Sequence, residues 1–198
     1  LYRIVGLGRA ADTQVDFTKE ERLYIAPSVT FQPNAATSLT LLTSFQRDPE
    51  TGFYGFIPSV GTALPNRNGK IRSNFFPGEP NSEGYSRNHL TLGYAFEHRF
   101  NPKLTLRQNL RYESQEGEGR IVSLQALQAN QRLQNRQATL QQFDYEALMT
   151  DTSVLSEFDA LGVSHRLVAG VDARRSKARQ ANYTCSTGAL NLYAPVYG

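Results

Sequence analysis

Apolar and polar residues alternate with a period of two along much of this chain, as they do in a β-strand whose two faces meet different surroundings. From Leu23 to Gln32 the residues Leu23, Ile25, Pro27, Val29 and Phe31 share one face, against Tyr24, Ala26, Ser28, Thr30 and Gln32 on the other. The pattern resumes with Leu39, Leu41, Thr43 and Phe45, although Leu42 falls on the polar side. Leu90, Leu92, Tyr94, Phe96, His98 and Phe100 form the next apolar face, and Leu104, Leu106, Gln108, Leu110 and Tyr112 the one after. Charge is confined almost entirely to the opposite face. A weaker alternation covers Leu148 to Phe158, a clearer one Leu167 to Arg174, and residues 1–11 read as a further strand. Seven strands are predicted, each alternating stretch close to the roughly 9 to 11 tilted residues that cross a bilayer. Pro27 removes a ladder hydrogen bond and predicts a bulge.

Three of these stretches end alike, with an apolar-face phenylalanine ahead of a short turn: Phe31 before Pro33-Asn34, Phe100 before Asn101-Pro102, and Phe158 before Asp159-Ala160-Leu161-Gly162. Aromatic rings levelled at one edge of an apolar band are expected where hydrocarbon meets headgroup. The other connections read as long: Asp12 to Lys19, Asp48 to Tyr85, Glu116 to Gln137, and Ala178 to the end. Short turns on one side and long loops on the other are the asymmetry of outer-membrane barrels. The Asp48–Tyr85 connection is rich in glycine and proline yet carries Phe53, Tyr54, Phe56, Phe75 and Phe76, which argues for order. Ile121 to Gln137, with Leu124, Leu127 and many glutamines, also fits a short helix within its loop.

At 198 residues with 39% hydrophobic content, the chain has an ordinary composition, as a barrel with only half of each strand facing lipid would. The net charge of +3 comes from 21 basic and 18 acidic residues, a mixture that does not suit a nucleic-acid surface. The basic cluster Arg174, Arg175, Lys177 and Arg179 reads as a solvated loop base beyond the membrane. One cysteine, Cys185, excludes an internal disulfide. The start of the chain lacks a secretory signal, and an odd number of strands does not close a bacterial barrel, so the chain is read as an internal piece of a larger receptor.

Catalytic signatures are weak. Gly6-Leu7-Gly8-Arg9-Ala10-Ala11 meets the minimal dinucleotide spacing without the helix or distal acid that the site requires, and reads as two glycines on a strand. His89, His98 and His165 are scattered without metal-ligand spacing. No enzyme, cofactor or metal site is expected. Inward Glu97, Glu113 and Asp172 stand near Arg99, Arg107, Arg111 and Arg174, as cross-strand pairs do. A lumen so charged is either water-filled or occupied by another charged folded element.

The run Arg47-Asp48-Pro49-Glu50-Thr51-Gly52-Phe53-Tyr54-Gly55-Phe56-Ile57-Pro58, followed by Gly61-Thr62, Pro65 and Asn68-Gly69-Lys70, resembles TonB-dependent outer-membrane siderophore receptors, most closely the ferrichrome (hydroxamate) group. Tyr85-Ser86-Arg87-Asn88, Leu106-Arg107-Gln108-Asn109-Leu110-Arg111, Gly170-Val171-Asp172 and Leu190-Asn191-Leu192-Tyr193-Ala194-Pro195-Val196 agree in the same order. The resemblance implies an all-β antiparallel transmembrane barrel of 22 strands, of which residues 1–198 supply about seven, the plug and remaining strands lying elsewhere. It implies a ferric siderophore as transported ligand, the TonB energy-coupling complex as a partner through the plug, and lipid of a Gram-negative outer membrane around the barrel. By motif position Phe53, Tyr54 and Phe56 are the candidate siderophore contacts, with Tyr24 a lumen-facing candidate; flat aromatic walls suit the carbon rims of a hydroxamate chelate. The family favours Tyr where Phe53 stands and often Trp where Phe56 stands, so two donors are missing. A passive porin-like channel and a soluble all-β binding module are the rival readings.

Overall fold

A computed structural model describes residues 1–52, 55–80, 82 and 84–198, and consists of one seven-stranded sheet. The strands follow one another in chain order: β1 (Tyr2–Asp12), β2 (Lys19–Asn34), β3 (Thr37–Thr51), β4 (Gly84–Asn101), β5 (Leu104–Leu127), β6 (Leu133–Ala160) and β7 (Val163–Asn191). Every neighbouring pair is antiparallel. The sheet is open, with β1 and β7 at its edges.

On one side the connections are tight. Ala35-Ala36, Pro102-Lys103 and Leu161-Gly162 each join two paired strands. The first two turns share a device: the side-chain oxygens of Asn34 and Asn101 each accept a hydrogen bond at 2.9 Å from the backbone N–H two residues on. Leu161 and Gly162 both have positive φ, 53° and 74°, the conformation whose twist matches that of the flanking strands.

Cross-strand partners carry the alternation coherently across the sheet. Val29 lies opposite Leu41, Leu41 opposite Tyr94, Tyr94 opposite Leu110 and Leu110 opposite Thr150. The apolar face therefore forms one continuous surface, and Ile25, Val29, Phe31, Leu41, Leu92, Phe100, Leu148, Phe158 and Leu167 on it are exposed. No second layer of the described chain covers it. The buried apolar cluster sits instead above one end of the sheet, where Ile71 and Phe75 pack with Leu190 and Leu192 against Leu124, Leu127, Tyr193 and Tyr197.

Several sequence expectations need correction. Pro27 causes no bulge: the β2–β3 register is the same on both sides of it, and the shifts lie at Glu21/Leu23 and Phe31/Asn34. Residues 121–137 form no helix, and Glu116 to Gln137 is not a loop. β5 and β6 run through it as a hairpin closed by residues 128–132, because residues up to Leu124 find ladder partners from Arg136 onward. Ala178 to the end is likewise mostly strand, since β7 pairs with this extension of β6 as far as Asn191. The basic cluster at 174–179 thus lies on a strand, not at a loop base. Gly6 and Gly8 sit on β1 opposite Ile25 and Leu23, as expected of strand glycines.

Candidate functional site

The polar face of the sheet lines a cavity of about 500 Å³, walled by Tyr24, Arg3, Val5, Ser28, Ser44 and Arg111 among others. Tyr24 faces this space because it lies on the polar side of β2, opposite Gln46 on β3. Glu97 pairs with Arg107 across β4 and β5 at 2.8 Å, and Glu113 stands 3.4 Å from both His89 and Arg111. Glu97–Arg107 is an expected cross-strand pair, whereas Glu113 meets Arg111 along β5 itself and reaches across to His89 on β4. Asp172 departs from the expectation: its neighbour on β6 is Asp151, and Arg174 donates to the hydroxyl of Tyr145 instead.

Above the cavity one carboxylate ties three strands together. Asp48, 1% exposed, accepts hydrogen bonds from Arg22 Nε (2.7 Å), from Arg87 Nη2 (2.7 Å) and Nε (3.1 Å), and from Gln46 Nε2 (2.8 Å). It lies past Phe45, the last residue of the apolar run on β3. Burial pushes its carboxyl up, but the bonds from Arg22, Arg87 and Gln46 outweigh that cost and hold it below the usual range. The sequence offered a signal for this junction, since Arg22, Asp48 and Arg87 all fall on the polar phase of their strands.

Beyond the junction the described part of the long connection between β3 and β4 folds over the strand ends. Asn66, Arg67 and Asn68 donate to the backbone carbonyls of Gln131, of Asn130 and Ala129, and of Asn130 respectively, at 2.8 to 3.3 Å. Tyr193 Oη donates to the carbonyl of Gly69, and Tyr197 Oη to that of Phe76 at 2.7 Å. Arg136, buried on β6, meets Glu79 at 2.6 Å and donates to the carbonyls of Gly78 and Gly188. The β1–β2 turn joins this cap: Asp16 N–H donates to the carbonyl of Asn74 at 2.9 Å, and the Phe17 ring packs on Phe76 and Tyr197 at centroid distances of 5.9 and 5.5 Å. Burial, followed by the charge of Asp16, pushes the Tyr197 phenol up, so it remains a donor.

Of the four candidate ligand residues, Phe53 and Tyr54 lie outside the described residues. Phe56 projects from the long connection at 75% exposure. Tyr24 lines the lumen cavity, whose walls do not include Phe56. Phe17, Phe76 and Tyr85 were not among the candidate ligand residues, because their proximity depends on how the cap docks. No group of three or more His, Cys, Asp or Glu among the described residues is arranged to hold a metal. No helix among them is long and apolar enough to cross a membrane, which says nothing of strands.

The family model described as TonB dependent receptor-like, beta-barrel matches residues 27–197. The chain is 35% identical to the ferrichrome outer membrane transporter/phage receptor of Escherichia coli K12, over 98% of its own length and 29% of that protein's. It is 32% identical to the ferrioxamine B receptor of Salmonella typhimurium, over 99% of its own length and 28% of that protein's. The crystal structure of the ferric-catecholate import receptor Fiu from E. coli K12 in its open form superposes with a TM-score of 0.83 at 22% identity, over 98% of this chain and 33% of that one. The chain thus spans under a third of the length of the curated relatives it matches, and those relatives are transport receptors rather than enzymes.

Proposed function

The chain belongs to the TonB-dependent receptor β-barrel family of the Gram-negative outer membrane, and on that premise we propose that it forms part of a receptor that binds a ferric hydroxamate siderophore and imports it with energy from TonB. The observation that carries this reading is the combination of a charged wall with an aromatic cap docked above it. Relatives named for ferrichrome and ferrioxamine B favour a hydroxamate chelate over a catecholate. Tyr54, Phe53 and Phe56 would meet the chelate at the outer face, and Tyr24 would meet it further into the lumen. Aromatic faces suit the carbon rims of such a ligand without competing for the iron.

The whole protein supplies the rest: further strands to close the barrel, and a plug that fills the charged lumen and engages TonB. The exposed apolar face rests against lipid, with Phe31, Phe100 and Phe158 at the level of the headgroups near the tight turns.

Titration of the complete detergent-solubilised receptor with ferrichrome, ferric ferrioxamine B and a ferric tris-catecholate tests the assignment. Tight binding confined to the two hydroxamates supports it, whereas preference for the catecholate sinks the hydroxamate assignment. Uptake of the bound chelate that persists after the proton gradient is collapsed would favour a passive channel instead.

A further inference from the structure

We infer that Phe17, in the β1–β2 turn, is an aromatic contact residue for the chelate. This rests on the siderophore reading given above. Its backbone is left-handed, with φ of 64°, a conformation that turn chemistry ordinarily gives to Gly or Asn and that a bulky side chain adopts at a cost. The turn is held there. Thr13 N–H donates to the carbonyl of Thr18, while the N–H and hydroxyl of Thr18 return to the carbonyl of Val15.

Burial does not repay this strain, since Phe17 is 63% exposed. Its ring is the outer member of a trio whose inner ring, Phe76, is buried and whose third, Tyr197, is fixed through its hydroxyl. Gln131 and Leu161 also have positive φ, but neither carries a ring. The Phe17 side chain is thus pre-positioned and open to solvent, the state in which aromatic anchors lose least on binding.

Its location fits the same role. Gly52, at the root of the segment carrying Phe56, donates its N–H to the carbonyl of Lys19 at 2.7 Å, two residues past Phe17. Phe17, Phe76, Tyr85, Lys19, Glu50 and Arg120 line a cleft beside that root with room for about one water, 30 Å³. A chelate does not enter so small a space. It meets the exposed ring, which presents an apolar surface to the carbon rim of a hydroxamate ligand.

The complete receptor carrying Phe17→Asn keeps a residue suited to the left-handed backbone and removes the ring. Titrated with ferrichrome and ferric ferrioxamine B, this variant is expected to bind at least one about tenfold more weakly than wild type, with its unfolding temperature unchanged or raised, while Phe17→Tyr stays within about twofold. Equal affinity of Phe17→Asn and wild type for both chelates overturns this inference and leaves the siderophore reading standing. Failure of the wild type to bind either chelate overturns both.

Discussion

Tyr85 on β4 and Phe143 on β6 stack with ring centroids 5.8 Å apart and planes 21° from parallel, although β5 runs between their strands. The contact exists because the intervening positions are Gly117 and Gly119. A Cβ on Gly119 would come within 2.8 Å of the Tyr85 ring, and one on Gly117 would run into the Phe143 ring and approach the carbonyl of Ser86 at 2.7 Å.

Gly117→Ala is therefore expected to force the two rings apart and destabilise the strand extensions by about 1 to 3 kcal/mol, the range for overpacking a filled site. Hydrogen exchange of β4 to β6 reads the effect. Faster exchange above Glu113 with unchanged protection below Tyr112 is the expected result, and uniform protection would show that the rings relax freely.

Replacing Asp48 by Ala leaves Arg22 and Arg87 facing each other without their shared carboxylate. Breaking a fully buried pair costs about 3 to 5 kcal/mol. Here the two arginines remain 44% and 32% exposed and water screens them, so about 1 to 3 kcal/mol is expected. Thermal unfolding of the variant against wild type at neutral pH measures it.

The same carboxylate predicts an acid dependence. Its folded pKa lies below that of the unfolded chain, near 3.9, so its contribution is complete well above that value and disappears as pH falls through the lower folded value. The stability gap between wild type and Asp48→Asn should be constant from about pH 6 to 7 and shrink below about pH 4. A gap that widened on acidification would contradict the charge-paired geometry.

In the complete receptor, Tyr54→Ala and Phe56→Ala are each expected to weaken binding of a hydroxamate chelate by about 1 to 3 kcal/mol, as loss of an aromatic anchor does. Tyr24→Ala should act independently of Phe56→Ala, because the structure places the two in separate surroundings. A double variant whose loss departs from the sum by more than about 0.5 kcal/mol would place them at a common contact.

The strands were legible because lumen and outer faces impose a period of two, and Leu90, Leu92 and Phe96 against Thr91 and Glu97 advertise their faces. The ends of β5, β6 and β7 were not. Past Glu113 the outer face no longer demands apolar residues, so Glu116 and Glu118 read as loop even though the ladder continues beneath them. The Asp48 junction was half legible, its three charges falling in phase but their convergence depending on register. Phe17 was hidden altogether, since its meaning depends on a backbone angle and on the docking of Phe76 across a long connection.

The grip of Asn66, Arg67 and Asn68 on the β5–β6 turn is made entirely to main-chain oxygens. The side chain at Ala129 can therefore be exchanged without loosening it, whereas Asn130, whose own side chain holds the N–H groups of Arg132 and Leu133, cannot. The outermost tip of this hairpin can thus vary its chemical appearance to whatever approaches from outside the cell while the fastening underneath persists.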